Sequence, residues 1–215
     1  GEVGPRWGCL SQDRASRFVV AWAFGATEDE LAPEVVRLTR QRTRAQAGVP
    51  WVSDGRKVYR RVICQVYRDP QPTGKRGRPP LVLREDVRLT QAVKRRVGGR
   101  VVGVAVRPVV GEPVACPYCV HAERLNGVLR DRLNALTRKT HAFAKKPTSW
   151  EALVRLCLFE HNWMRPHRAL RERVGGLPGG RRYRPRTPAM AIGLADHVWS
   201  WEEFLSFRHY QYKRE

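Results

Sequence analysis

Residues 51–63 read WVSDGRKVYRRVI, and this stretch decides how the chain is expected to fold. A short apolar run over 49–53 ends at Asp54-Gly55, which is typical of a strand followed by a turn. A basic stretch over 55–67 follows and is predicted to be a helix, with its inward face formed by Val58, Val62, Ile63 and Val66. The stretch therefore predicts a strand that leads through one carboxylate into a helix.

The residues before this stretch predict a hairpin and a helix. The β-rich runs 6–12 and 17–24 are separated by the turn-forming residues 13–16, which indicates an antiparallel pair. A capping box of Thr27 and Glu30 starts a helix predicted to reach about Gln46 and to end at Gly48, with a buried stripe formed by Leu31, Val35 and Leu38. A helix placed between strands favours parallel addition of the next strand to the sheet.

The residues after the stretch predict further strands and two more helices. Residues 68–80 are rich in Arg, Pro and Gly and are expected to lack regular structure. The remaining predictions are strands at 89–94 and 100–110, a helix at 119–141, a helix that starts with a Thr148–Glu151 capping box and reaches Trp163, and an irregular tail from 171 with a short helix near 200–207. The order predicts an α/β domain with helices on both faces of a mixed sheet.

The composition favours a nucleic-acid partner. The chain has 215 residues, 42% of them apolar, and a net charge of +21. So much positive charge repels itself unless an anion binds, and nucleic acid is the first expectation, with an anionic membrane second. No apolar run approaches the roughly 20 residues of a membrane helix, and five irregularly spaced cysteines do not suggest a disulfide framework, so a cytoplasmic protein is expected.

Two carboxylates are the candidates for chemistry. Asp54 follows a strand, and open α/β sheets bind ligands beyond the carboxyl ends of their strands, although an ordinary Asp-Gly turn explains this dipeptide equally simply. Glu123 lies on the polar face of the predicted helix, together with Asn126, Arg130, Asn134 and Arg138. Because its surroundings are neutral or cationic, Glu123 needs a positive partner or a metal. Two carboxylates amid Arg side chains suit Mg2+ and phosphodiester chemistry.

Other motifs have simpler explanations. Cys116, Cys119 and His121 could bind zinc, but a fourth ligand is lacking nearby, and a turn with free thiols is favoured. In EHNWMRPHRAL (residues 160–170), we assign Asn162, Arg165 and His167 a packing or DNA-backbone role. The loop 68–80 is either a solvated linker or an arm that follows the minor groove.

Four segments in order resemble DDE transposases of the bacterial insertion sequence one type. They are RWGCLSQDRASRFVVAWAFG (6–25), WVSDGRKVYRRVI (51–63), HAERLNGVLRDRLNALTRKTHAFAK (121–145), and EHNWMRPHRAL followed by RPRTPAMAIGL (184–194). The resemblance implies an RNase H-like catalytic core at 1–170 with a basic insertion at 68–110, and a basic tail at 171–215.

The resemblance also implies a function and a site. It implies metal-dependent DNA cleavage and strand transfer, with Asp54 and Glu123 as catalytic ligands of Mg2+ (Mn2+ is the other possibility). The predicted DNA contacts are Arg56, Lys57, Asn126, Arg130, Arg138 and Lys139. Transposon ends and target DNA are the expected partners, bound by a homo-oligomer at the bacterial nucleoid.

One departure from the family pattern concerns the first catalytic Asp. In similar proteins it lies on a strand before the Arg-Trp strand, whereas only residues 1–5 precede Arg6, so a truncated core is expected. Asp13 follows the second strand of the pattern and is interpreted as a turn residue, and Glu2 has too little chain before it to be a strand residue. A DNA-binding remnant without activity, or a nuclease or resolvase of the same fold, are the alternative functions.

Overall fold

A computed structural model describes residues 7–43, 49–136, 146–175 and 182–207. The chain divides into two compact units. The first contains residues up to Gln12 and Val19–Arg132, and the second contains Asp13–Phe18 and the residues from Leu133 onward. The predicted boundary at residue 170 stays a prediction. The class is mixed α/β, as the sequence predicts.

The first unit begins with the predicted antiparallel hairpin. Strand β1 (Trp7–Gln12) pairs with β2 (Val19–Gly25) as a two-stranded sheet. The alternation of strand side chains puts Cys9, Ala21 and Ala23 on one buried face. The hairpin is therefore confirmed.

Helix α1 (Glu28–Arg42) covers the buried face of the hairpin. The Thr27 hydroxyl accepts a hydrogen bond from the Glu30 N–H at 3.3 Å, as the predicted N-cap requires. The helix ends at Arg42, four residues before the predicted end, where Thr43 donates from its N–H and its hydroxyl to the Thr39 carbonyl. Gln46 and Gly48 lie outside the described residues.

A second, three-stranded sheet contains the strand before Asp54. Strand β3 (Pro50–Ser53) pairs in parallel with the first residues of β6 (Arg88–Val97), and β6 pairs antiparallel with β7 (Arg100–Val110). The strand β3 is therefore in a parallel pair, but the predicted addition across helix α1 to the sheet of the hairpin is wrong, because the partner of β3 is β6. Within the described residues the strands do not join into one sheet, because β1 and β2 pair only with each other.

The core of this sheet lies against two helices. Helix α2 (Lys57–Val66) buries Val58, Val62 and Ile63 as predicted. They pack with the α1 residues Ala32 and Val36, and with Tyr67, Val87 and Leu89. Since α1 buries Leu31 and Val35 against the hairpin, this one helix contributes to both cores.

The Pro- and Gly-rich loop at 68–80 begins in one short strand and is followed directly by another. Strand β4 (Arg68–Pro70) pairs antiparallel with β5 (Leu81–Leu83), so the prediction that 68–80 lacks regular structure is wrong for its first three residues. Asp69 contributes to this arrangement by ion pairs with Arg40 and Arg84. The cationic tip is exposed.

Helix α3 (Val120–Arg132) buries Leu125 and Leu129. The prediction that this helix continues to residue 141 is wrong. The helix α3 ends at Arg132, and a separate 3-10 turn follows at Asn134–Leu136. The Leu136 N–H donates to the Leu133 carbonyl at 2.8 Å in this turn. Residues 137–145 lie outside the described part of the chain.

The second unit contains helix α4 (Pro147–Phe159), which continues through a π-helical turn at Glu160–Met164. The predicted Thr148 cap is wrong, because Pro147 occupies the first turn and Lys146 is the N-cap. The tail is more regular than predicted. It contains strands β8 (Glu172–Arg173) and β9 (Tyr183–Arg184), and helices α5 (Pro188–Ala191) and α6 (Trp201–Ser206). Helix α6 confirms the short helix expected near 200–207.

In the part of the chain that the structure describes, no helix combines the length and apolar character needed to cross a bilayer.

Candidate functional site

Asp54 and Glu123 line the same cavity in the first unit, which has a volume of about 600 Å³. The cavity walls come from the β3–α2 turn, the β6–β7 hairpin and the start of α3, and include Gly55, Ala92, Val93, Lys94, Val104, Tyr118, Cys119 and Val120. Elements distant in sequence thus place both predicted carboxylates at one site.

Local turn geometry fixes Asp54 at the end of β3. Its Oδ1 accepts a hydrogen bond from the Arg56 N–H at 3.1 Å, while the side chain remains exposed. A Cβ on Gly55 would lie 2.9 Å from Cγ2 of Val93, so the turn approaches β6 as closely as only glycine permits. The Gln91 side chain donates to the Arg56 carbonyl at 2.9 Å and ties the turn to β6. Asp54 is an ordinary turn residue in its hydrogen bonding and also faces a cavity.

Glu123 has the positive partner that the sequence required. Its Oε1 lies 2.6 Å from Nζ of Lys94 on β6, and both side chains are about half exposed. Exposed ion pairs contribute about 0–1 kcal/mol to stability, so this pair alone adds little to the free energy of unfolding. Sequence reasoning missed Lys94, although its place on a strand beside β3 was a usable signal.

The predicted DNA contact Arg56 is held by acidic neighbours. Its guanidinium lies 2.9 Å from Glu28 and 3.8 Å from Asp29, and it also stacks over the Trp7 ring. Lys57, the first residue of α2, is exposed and is the more accessible cation of the two. The structure therefore favours a positioning role for Arg56.

A buried thiol and a buried phenol in the first unit stay protonated. Burial raises the pKa of the Cys9 thiol to about 11; the hydrogen bond with Tyr59 opposes this, and the negative charges of Glu28 and Asp54 add to it. Burial also raises the pKa of Tyr59, whose hydroxyl donates to Glu28 at 2.7 Å. Neither group is a nucleophile near neutral pH, because the thiolate and the phenolate are the reactive forms.

Magnesium fits the described residues only in part. Carboxylates are the hard oxygen ligands that Mg2+ prefers, and the cavity presents two of them. Among the described residues, however, no group of three His, Cys, Asp or Glu side chains could hold a metal ion. A third ligand would have to come from outside them, and Lys94 competes for Glu123.

The predicted DNA-contact face of α3 lies partly within the described residues. Asn126 and Arg130 follow Glu123 at helical spacing and are exposed. Arg138 and Lys139 lie outside the described residues.

Comparisons of the chain with known protein families, with curated proteins and with solved structures each gave no match.

Asp13 is a turn residue, as the sequence indicates. Its carboxylate accepts hydrogen bonds from the N–H and the hydroxyl of Ser16, and its carbonyl accepts from the Arg17 N–H at 2.9 Å. These contacts are what a tight hairpin connection requires. Glu2 lies outside the described residues.

The cysteine motif forms a turn before α3. Neither Cys116 nor Cys119 forms a disulfide, and the Tyr118 N–H donates to the Cys116 carbonyl at 2.8 Å. Cys119 accepts the first helical hydrogen bond from the Glu123 N–H at 3.0 Å. These two hydrogen bonds are those of a turn that leads into a helix, which agrees with the turn interpretation.

The segment of residues 160–170 packs inside the second unit. His161 and Asn162 are buried, and the rings of His161 and His167 meet edge to face with centroids 4.7 Å apart. Nε2 of His161 donates to the Arg17 carbonyl at 2.9 Å. Arg165 is exposed. The geometry agrees with packing for Asn162 and His167, and leaves Arg165 accessible to an anion.

We expect the buried His161 to make the protein less stable in mild acid. Burial lowers its pKa below the usual value; the positive charge of Arg165 also lowers it, while the Arg17 hydrogen bond and Glu160 oppose the shift. Below pH about 6.5 the unfolded chain binds the proton more readily, so stability falls as the pH drops toward the folded pKa. The melting temperature, measured by circular dichroism between pH 7.5 and 5.5, should fall, and His161→Gln should flatten that fall.

His197 provides a control of opposite sign. Asp196 and Glu203, with oxygens 2.5 and 2.6 Å from its ring nitrogens, raise its pKa. Its contribution is therefore present below pH about 6.5 and is lost as the pH rises through the folded pKa. His197→Gln should therefore not flatten the fall in melting temperature in mild acid, and should steepen it, because it removes a contribution that grows as the pH drops. If His161→Gln melts with the same acid dependence as the unmodified protein, His161 is not its source.

Proposed function

We propose that this chain is the catalytic domain of a DDE-type transposase with an RNase H-like core, which cleaves DNA and joins the cut strands. The observation that supports it most directly is the shared cavity, which both Asp54 and Glu123 line in a chain of net charge +21. Carboxylates would repel a polyanion by themselves, so cations around them are what a phosphodiester substrate requires.

In this proposal the residues of the cavity have distinct roles. Asp54 and Glu123 would hold Mg2+ if a further ligand completes the site, and the ion would stabilise charge on the reacting phosphate. Lys94 holds Glu123 in place through its 2.6 Å ion pair before DNA and metal bind. Arg56 orients the Asp54 turn, and Lys57, Asn126 and Arg130 contact the DNA backbone. Transposon ends and target DNA are the substrates.

A specific observation favours a second candidate, a DNA-binding remnant without catalytic activity. The described residues contain no three-ligand metal group, and Glu123 already has Lys94 as partner. Such a protein would retain the basic surface and bind DNA with a strong dependence on salt. A nuclease or resolvase would instead cleave DNA and never join it.

One experiment separates these functions. The protein is incubated with labelled duplex DNA and Mg2+, and cut and joined products are resolved on denaturing gels, while binding is measured in parallel without metal. We expect joined products, and an affinity whose log–log salt slope is about −0.9 for each phosphate contacted. Cut but unjoined DNA would indicate the nuclease, binding without cleavage would indicate the remnant, and an affinity insensitive to salt would contradict a DNA-backbone partner.

A further inference from the structure

The β6–β7 hairpin extends well beyond the sheet that holds it. Only Arg88–Gln91 of β6 pair with β3, whereas the pairing of β6 with β7 continues to Val97 and Arg100. Gly98 and Gly99 close the hairpin with positive φ angles of 54° and 79°, as a tight two-residue turn requires. We define the basic arm as residues 92–107 of this hairpin.

The charge of the basic arm has one sign. Residues 88–110 contain no Asp or Glu, and their cations are Arg88, Lys94, Arg95, Arg96, Arg100 and Arg107. Lys94 is engaged by Glu123 at the base of the arm, whereas Arg95 and Arg100 are exposed near its tip. The arm therefore presents a concentrated positive surface on a narrow two-stranded ribbon.

The arm also exposes apolar side chains to solvent. Five valines are between 40 and 68% exposed, namely Val97, Val101, Val102, Val104 and Val106. Exposed apolar patches rimmed by polar groups mark binding surfaces. Valines between arginines suit contact with thymine methyl groups while the cations hold the phosphates.

We propose that the basic arm inserts into the major groove of duplex DNA bound at the cavity. The major groove is about 12 Å wide and admits a two-stranded β-ribbon. Ala92, Val93, Lys94 and Val104 line the cavity and form the base of the arm, so DNA at the carboxylates would run along the arm. This inference rests on the proposed function for the identity of the partner, and it adds where that partner is gripped.

Charge argues against a second copy of this chain as the occupant. Two arms stacked face to face would bring together ribbons that carry no acidic residue, and like charges at close range repel. Duplex DNA supplies the opposite charge at a regular spacing along its axis. DNA thus complements both the cations and the exposed valines.

A matched pair of double variants tests the arm. Arg95→Gln with Arg100→Gln removes two charges from the arm, and Arg37→Gln with Arg61→Gln removes two exposed charges from α1 and α2. On a 30-bp duplex without metal, the arm variant should bind about tenfold more weakly and lose about two units of salt slope. Equal losses in both variants would overturn the arm as the contact site and leave only general charge attraction.

A shortened arm and a groove probe complete the test. Lys94 and Val104 face each other across the ladder, so an Asn-Gly turn can replace residues 95–103 without changing the strands below. The unmodified protein should protect guanine N7, a major-groove atom, from methylation, and the shortened protein should not. N7 reactivity that is unchanged by the unmodified protein would refute insertion into the major groove. If the unmodified protein sediments as a dimer without DNA and the shortened protein as a monomer, the occupant of the arm is a second copy of the chain instead. Neither methylation protection nor sedimentation requires cleavage. The proposal for the arm can therefore be supported even if the protein does not cut DNA.

Discussion

Replacing either cavity carboxylate by its amide is expected to abolish DNA cleavage while DNA binding survives. Asp54→Asn and Glu123→Gln preserve the size of exposed side chains that line the cavity, so folding should not change. The lost interactions stabilise developing charge and contribute several kcal/mol, which corresponds to a loss on the order of 10³-fold in rate. The measurement is the single-turnover rate of DNA cleavage with Mg2+, compared between each variant and an unmodified protein that cleaves DNA.

The matched controls are acid-to-amide changes away from the cavity. Asp131→Asn and Glu34→Gln alter exposed carboxylates that do not line it, so they should leave the rate within about twofold of the unmodified protein. Binding to a duplex, followed without metal, should be equal or slightly tighter for all four variants, because each removes a negative charge. Full cleavage activity in either cavity variant would refute the assignment of that residue.

The change Lys94→Gln separates a catalytic Glu123 from a merely paired one. If Lys94 only positions Glu123, its loss should lower the cleavage rate partially, and raising the Mg2+ concentration should restore much of it. If Glu123 only forms the ion pair and has no role in catalysis, Lys94→Gln and Glu123→Gln should both leave the cleavage rate unchanged. The fold would also be little affected, because an exposed ion pair contributes about 0–1 kcal/mol to stability.

Local signals along the chain predicted the elements around the site correctly. An apolar run followed by Asp54-Gly55 predicted the strand and its turn, and valine spacing predicted the buried face of α2. The helix α1 between β2 and β3 predicted their parallel pairing, which does not occur, because β3 pairs with β6 in a separate sheet. The features predicted correctly depend on neighbouring residues, which a single sequence displays.

Long-range features were harder to predict. The partner of Glu123 comes from a strand about thirty residues earlier in the sequence, and the alternation of side chains in β6 does not specify which helix Lys94 will meet. The end of α3 at Arg132 was missed because the polar and apolar spacing continues beyond it. The separation of the β1–β2 sheet from the β3–β6–β7 sheet likewise depends on packing against α1.

Leu89→Ala is expected to produce the largest loss of stability among single changes in the first unit. Leu89 is fully buried on the central strand β6, opposite Trp51 of β3 and beside Val110 of β7. It packs in the core with Ile63 and other α1 and α2 side chains, so truncation leaves a cavity that the two helices cannot close. Buried Leu→Ala changes cost about 2–5 kcal/mol. Urea unfolding followed by circular dichroism should show a lower midpoint with an unchanged slope.

The matched control removes the same atoms from an exposed strand. Leu81 on β5 is 51% exposed, so Leu81→Ala should change the free energy of unfolding by about 0.5 kcal/mol or less. Leu89 lies two residues before Gln91, whose side chain ties the Asp54 turn to β6. The Leu89 variant should therefore also weaken Mg2+-dependent cleavage under conditions in which it remains folded, whereas the Leu81 variant should not. A Leu89→Ala cost near that of Leu81→Ala would show that β6 is not the packed centre on which the cavity depends.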